Sequence, residues 1–191
     1  FSAGVIFLWK MKKKKENATQ ISKTYTYEVR ISRKGRKAVY KGIYDSGNLL
    51  VSQITGQGVC IIQKEQAAKL LLTKEKSEIE QIYIQFSEEK EEKKREKNGK
   101  KKQQIEQPLW RMWAKQFQEG MYILQYSSVG KKNAKMPGVI AEQIVVLKNE
   151  EVLVKTKGML GISQEKLVEQ NTFSILLPAD IFEREKNRNI I

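Results

Sequence analysis

Along this chain the spacing of apolar and polar positions changes period several times. Residues 24–31 (Thr-Tyr-Thr-Tyr-Glu-Val-Arg-Ile) alternate and are rich in β-branched and aromatic side chains, the pattern of a half-buried strand. Arg33-Lys34-Gly35-Arg36-Lys37 reads as a hairpin turn and residues 38–44 as the returning strand. Further strands are predicted at residues 58–63, 79–86, 121–127, 139–147, 152–156 and 173–177, joined by turns containing Gly and Asn. Helical spacing occurs at 64–72, and a short helix is expected at 164–170. Many short strands with few helices predict a mostly-β barrel or sandwich. No internal repeat is present.

Two stretches break this pattern. Phe1-Ser-Ala-Gly-Val-Ile-Phe-Leu-Trp9 is apolar and runs into Lys10-Met11-Lys12-Lys13-Lys14-Lys15. Nine residues cannot span a bilayer, which takes about 20 in a helix. A signal peptide carries its positive charge before the apolar run rather than after it. The pattern fits the last turns of a transmembrane helix followed by a basic cytoplasmic stop, or a chance apolar start to a fragment. On the first reading, residues 1–16 are the helix end and basic juxtamembrane segment, 17–24 a linker, 25–182 the folded domain and 183–191 a tail. The second stretch, residues 87–107, is almost wholly Glu, Lys, Arg, Gln, Asn and Gly, and is expected to be a flexible charged insertion.

Composition narrows the chemistry. The chain has 191 residues, 40% of them hydrophobic, enough for one domain with a real core. Its formal charge of +14 invites a nucleic-acid reading. The basic residues, however, fall into separate clusters near positions 10–15, 30–41 and 90–102, which do not make one binding face. There is no histidine, which removes Ser-His-Asp and Cys-His nucleophile systems and every imidazole metal site. The single cysteine, Cys60, lies in Val59-Cys60-Ile61-Ile62 and reads as a small core residue. No phosphate-binding P-loop exists: before Gly130-Lys131, Gln125 stands where its first glycine belongs. Hydrolysis would have to rest on carboxylates, or on Lys, Ser or Tyr, and no metal or cofactor is expected.

Against 20 glutamates the chain has two aspartates, Asp45 and Asp180. Asp45 opens Asp45-Ser46-Gly47-Asn48, between the apolar strand end Ile43-Tyr44 and the apolar run Leu49-Leu50-Val51. Taken alone, the tetrapeptide reads as a plain turn. As a catalytic loop it has a specific logic. Peptide hydrolysis by carboxylates needs two of them sharing a proton, one ionised to activate water and one protonated to donate to the carbonyl oxygen. Like charges about 3 Å apart cannot both ionise, so their pKa values split. Glycine lets two such loops approach closely, and serine can brace the turn. One chain supplies one such turn, and Asp180 in Leu177-Pro178-Ala179-Asp180 lacks this context. A site of this kind therefore requires a second copy of Asp45 across a two-fold axis.

These residues carry a family resemblance. Apolar-Asp-Ser-Gly resembles the active-site loop of pepsin-like and retroviral aspartic proteases. Gly158-Met159-Leu160-Gly161-Ile162-Ser163 matches the apolar pair, glycine and short helix of the retroviral type. Together with Ser127-Ser128-Val129-Gly130-Lys131 and Met136-Pro137-Gly138, the ordered motifs across residues 25–182 resemble the sporulation sigma-E factor-processing peptidases of endospore-forming bacteria. The resemblance implies a retropepsin-like closed β-barrel with one or two short helices and an upstream membrane domain of several helices. It implies a place in the mother-cell membrane at the sporulation septum, with the protease domain facing the cytoplasm. The substrate would be a sigma factor precursor that loses its N-terminal pro-segment, and a forespore signal protein would activate the enzyme. By position, Asp45 is catalytic, with Ser46, Gly47 and Asn48 its loop. Ser128, Val129, Gly130, Met136, Pro137 and Gly138 form a candidate flap, and Leu160 and Gly161 a supporting second motif. The family's frequent Asp-Pro pair after the loop is replaced here by Ser52-Gln53-Ile54-Thr55.

Two other classes compete with this reading. Trp110-Arg111-Met112-Trp113 and the net charge fit a membrane-tethered basic module for nucleic acid or anionic lipid, although a helix packing its tryptophans into the core or against a partner is the better reading of the tetrad. A protease fold without activity, kept as an interaction platform, is the other.

Overall fold

The computed structural model describes residues 26–97, 120–128, 131–167 and 173–183. The expected membrane-helix end and linker, Trp110 to Trp113, and all but the first residue of the tail lie outside them. Strands β1 (Thr26–Arg33) and β2 (Arg36–Tyr44) form the anticipated antiparallel hairpin. Its two-residue turn holds Lys34 at φ 46° and Gly35 at φ 74°, the twist that matches paired strands. Only the second of these positions is taken by the residue that adopts it without steric cost.

Strands β3 (Cys60–Gln63), β4 (Met121–Ser128), β5 (Lys131–Lys148), β6 (Glu151–Ser163) and β7 (Ile175–Leu177) complete the sheet. Its order is β1-β2-β7-β3-β6-β5-β4, and β1 also pairs with β5 through Glu28↔Leu147 to Ser32↔Gln143. Six strands thus close into a barrel, which leaves them no free edges, and β4 hangs on β5 outside the ring. The choice between barrel and sandwich resolves to the closed barrel. Alternation in β1 puts Val29 and Ile31 inside with Ile62, Ile144, Val146, Leu160, Ile162, Ile175 and Leu177, while Glu28 and Arg30 face water. Each such side chain, fully buried, contributes roughly 1.5–3 kcal/mol. Cys60 is buried in this core, outside any disulfide.

The helices depart from expectation. Helix α1 is only Lys64–Ala67, with turns after it. The strand predicted at residues 79–86 is instead part of helix α2 (Thr73–Lys97), and the insertion expected to start at residue 87 is helical as far as Lys97. Ile82, Ile84 and Phe86 alternate, which produced the strand reading. The buried set is Ile79, Ile82, Tyr83 and Phe86, a helical stripe, with Ile84 58% exposed. At 164–167 the chain bends without forming a helix, and the rest of that expected helix falls outside the described residues.

Candidate active site

The carboxylate of interest sits where β2 ends. Asp45 N donates to Leu177 O at 3.1 Å, so the residue leaves the barrel while still tied to β7. The chain then turns sharply. Gly47 N donates to Asp45 Oδ1 at 2.9 Å and Asn48 N donates to Asp45 O at 3.0 Å. The first bond fixes one carboxylate oxygen by a local Asx turn. Ser46 and Gly47 are exposed, Asp45 half-buried. A Cβ on Gly47 would stand 3.2 Å from Asp45 Oδ1, tight enough to push on the carboxylate itself.

Asn48 anchors the loop from beneath. Its side chain is buried, Nδ2 donates to Val59 O at 2.9 Å, and Oδ1 accepts from Leu50 N at 3.3 Å. Asn48 O also accepts from Ala179 N at 3.2 Å. Asn48→Ala is expected to strand the buried Val59 carbonyl and to cost about 1–3 kcal/mol, read from denaturant midpoints. An unchanged midpoint would show that the amide is not the anchor.

The stretch from Ser52 to Thr55 is ordered by a hydroxyl. Buried Ser52 accepts at Oγ from Ile54 N and Thr55 N at 3.3 and 3.2 Å, and its backbone exchanges bonds with Gln57 and Gly56. Asp180 is a tether: its Oδ2 accepts from Gly58 N at 3.0 Å, pinning this loop to the segment after β7.

Facing the Asp45 loop is a two-stranded ribbon. Residues 131–137 of β5 pair with β4 alone, because pairing with β6 begins at Gly138↔Gly161. Asp45, Gly47, Asn48, Leu49, Leu50 and Val51, with Ile61, line an open cavity of about 520 Å³ whose other wall is Gln125, Tyr126 and Ser127 of β4. Leu49 (75% exposed) and Val51 (53%) leave an apolar surface in the cavity with the carboxylate.

The candidate flap residues separate in this arrangement. Ser128 ends β4 at the far end of the ribbon, and Val129 and Gly130 fall outside the described residues. Met136, Pro137 and Gly138 are buried at its base, opposite Leu124, Ile123 and Tyr122. Leu160 is in the core, whereas Gly161 serves the ribbon. A Cβ there would meet Met136 Sδ at 2.7 Å and Val59 Cγ1 at 3.1 Å; one on Gly138 would meet Leu124 Cδ1 at 2.8 Å. The facing glycines let the ribbon lie directly on β6. Gln125 and Tyr126 fall inside the strand predicted at 121–127 but were not assigned to the site, because nothing local in that strand shows that it passes the Asp45 loop.

Among the described residues no helix is long and apolar enough to cross a membrane. The family model described as sporulation factor SpoIIGA (Peptidase_U4) matches residues 2–181. No curated protein and no solved structure matches the chain.

Proposed function

This chain belongs to the sporulation factor SpoIIGA family of peptidases, and on that premise we propose that it is an aspartic endopeptidase working as a homodimer. The observation that carries this reading is the single Asp45 carboxylate, presented on a rigid turn into a cavity roofed by a β-ribbon. Two chains related by a two-fold axis bring two Asp45 carboxylates to one water. The ionised one takes a proton from the water as its oxygen attacks the scissile carbonyl carbon. The protonated one gives its proton to the carbonyl oxygen. The resulting diol collapses, the amide nitrogen is protonated and the C–N bond breaks. An extended peptide lies between the loop and the ribbon as an added strand, with apolar side chains against Leu49 and Val51.

The substrate is a sigma factor precursor (pro-sigma-E), cut to release its N-terminal pro-segment. The chain acts from the mother-cell membrane at the sporulation septum, held by helices upstream of the barrel, with the protease domain on the cytoplasmic side and a forespore signal protein as activator.

The test is subunit mixing. Wild-type chain and Asp45→Asn chain, each with its upstream region, are co-expressed with the precursor and the activating partner, and shortening is followed on a gel. With total chain held constant and equal amounts of each, random pairing leaves about a quarter of the dimers intact, so cleavage should fall to about a quarter of wild type. A fall to about a half would mean that each chain cuts alone. An unshortened precursor with wild type would remove it as the substrate.

A further inference from the structure

The ribbon over Asp45 has an unusual neighbour. Two strands alone are marginal in water, yet residues 125–128 and 131–135 project beyond the last β6 pairing. Helix α2 runs behind them. Lys135 Nζ donates to Glu89 Oε2 at 2.8 Å, with both side chains largely buried (19% and 14% exposed). The same ammonium lies 5.7 Å from the centre of the Phe86 ring. Among the described residues Glu89 Oε1 is buried without a hydrogen-bond partner, so Lys135 is what compensates this carboxylate.

Between helix and ribbon is a small cavity of about 130 Å³, walled by Tyr83, Phe86 and Glu89 on one side and Tyr126, Lys135 and Met136 on the other. Tyr126 also walls the Asp45 cavity. One residue of the ribbon therefore borders both the space behind it and the space over Asp45.

We infer that α2 is a brace for the ribbon, and that Glu89 and Lys135 are positioning residues that set its height over Asp45 through Tyr126. The inference rests on the peptidase reading for its catalytic consequence, but its structural half does not. The ribbon grips the peptide equally before and during the reaction, so loosening it removes uniform binding.

The experiment compares wild type with Glu89→Gln, Lys135→Met and the reversed pair Glu89→Lys with Lys135→Glu. Amide exchange across residues 121–137 is the first readout. KM and kcat for the precursor are the second. Each single change should speed ribbon exchange about tenfold or more while β1 and β2 stay protected. It should also raise KM several-fold at nearly constant kcat, and the reversed pair should recover much of both. Unchanged ribbon exchange in the single variants overturns the brace, as does equal acceleration throughout the barrel. A fall in kcat at constant KM overturns the positioning role. If wild type fails to cut the precursor while ribbon exchange responds as stated, the brace stands and the substrate assignment falls.

Discussion

Changing Asp45 to asparagine is expected to cut precursor cleavage at least about 10³-fold while leaving the barrel folded. Asparagine keeps the volume and one acceptor oxygen, so Gly47 N can still donate to it as it does to Asp45 Oδ1. What disappears is a group that can exchange a proton with water. In a site with two copies the loss is felt twice, because neither the base nor the acid remains. The half-buried position of Asp45, outside the core cluster, is why stability should move by less than about 0.5 kcal/mol. Cleavage on a gel and the unfolding midpoint measured together separate the two effects. Retained cleavage in the Asp45→Asn chain would remove this residue from the chemistry. Lost cleavage with a collapsed midpoint would show instead that its role is to hold the turn.

Most of the barrel was readable because its strands carry their own signal. Val29 and Ile31 alternate with Glu28 and Arg30, and a Lys-Gly turn closes the first hairpin. The candidate site stood out for a different reason: Asp45 through Asn48 is contiguous, so its turn, its carboxylate and its anchoring amide lie in four residues. What escaped was long-range. The ribbon's place over Asp45 depends on the facing glycines Gly138 and Gly161, which come from different strands and mean nothing until paired. Helix α2 escaped because a stripe and an alternation share Ile82 and Phe86, and burial of Ile79 and Tyr83 decides between them.

The least legible feature is a buried ion cluster, and it carries the largest stability prediction. Arg33 ends β1 at 1% exposure and Glu75 lies in the first turn of α2 at 3%. Arg33 Nη1 and Nη2 each donate to Glu75 at 2.7 Å, a two-pronged contact, and Arg33 Nε donates to Ile140 O at 3.1 Å. Lys34 Nζ adds a bond at 2.7 Å, and Leu72 N, just before the helix, donates to Glu75 Oε2 at 2.8 Å. Arg33 and Glu75 together thus join the first hairpin, the middle of β5 and the start of the bracing helix. Glu75→Gln is expected to cost about 3–5 kcal/mol, because Arg33 stays buried without its counter-charge.

Acid gives an independent reading of the same cluster. Burial pushes the Glu75 carboxyl upward, but the bonds from Arg33, Lys34 and Leu72 outweigh it and hold the group at about 2, against an ordinary value of 4.5. The folded value lies below the unfolded one, so the stabilisation is complete above about pH 4.5 and drains away as pH falls through about 2. Denaturant midpoints of wild type and Glu75→Gln should therefore differ by a constant amount from pH 7 to about 5 and converge below that. Curves that stay parallel down to pH 3 would mean that the carboxylate's charge is not what holds these elements together. Replacing both partners with Arg33→Met and Glu75→Leu should recover part of the loss, since a dry apolar pair leaves no charge uncompensated. The brace behind the ribbon starts at Glu75 and reaches Lys135 at Glu89, so the single variant should also speed exchange in the ribbon, and the apolar pair should slow it again.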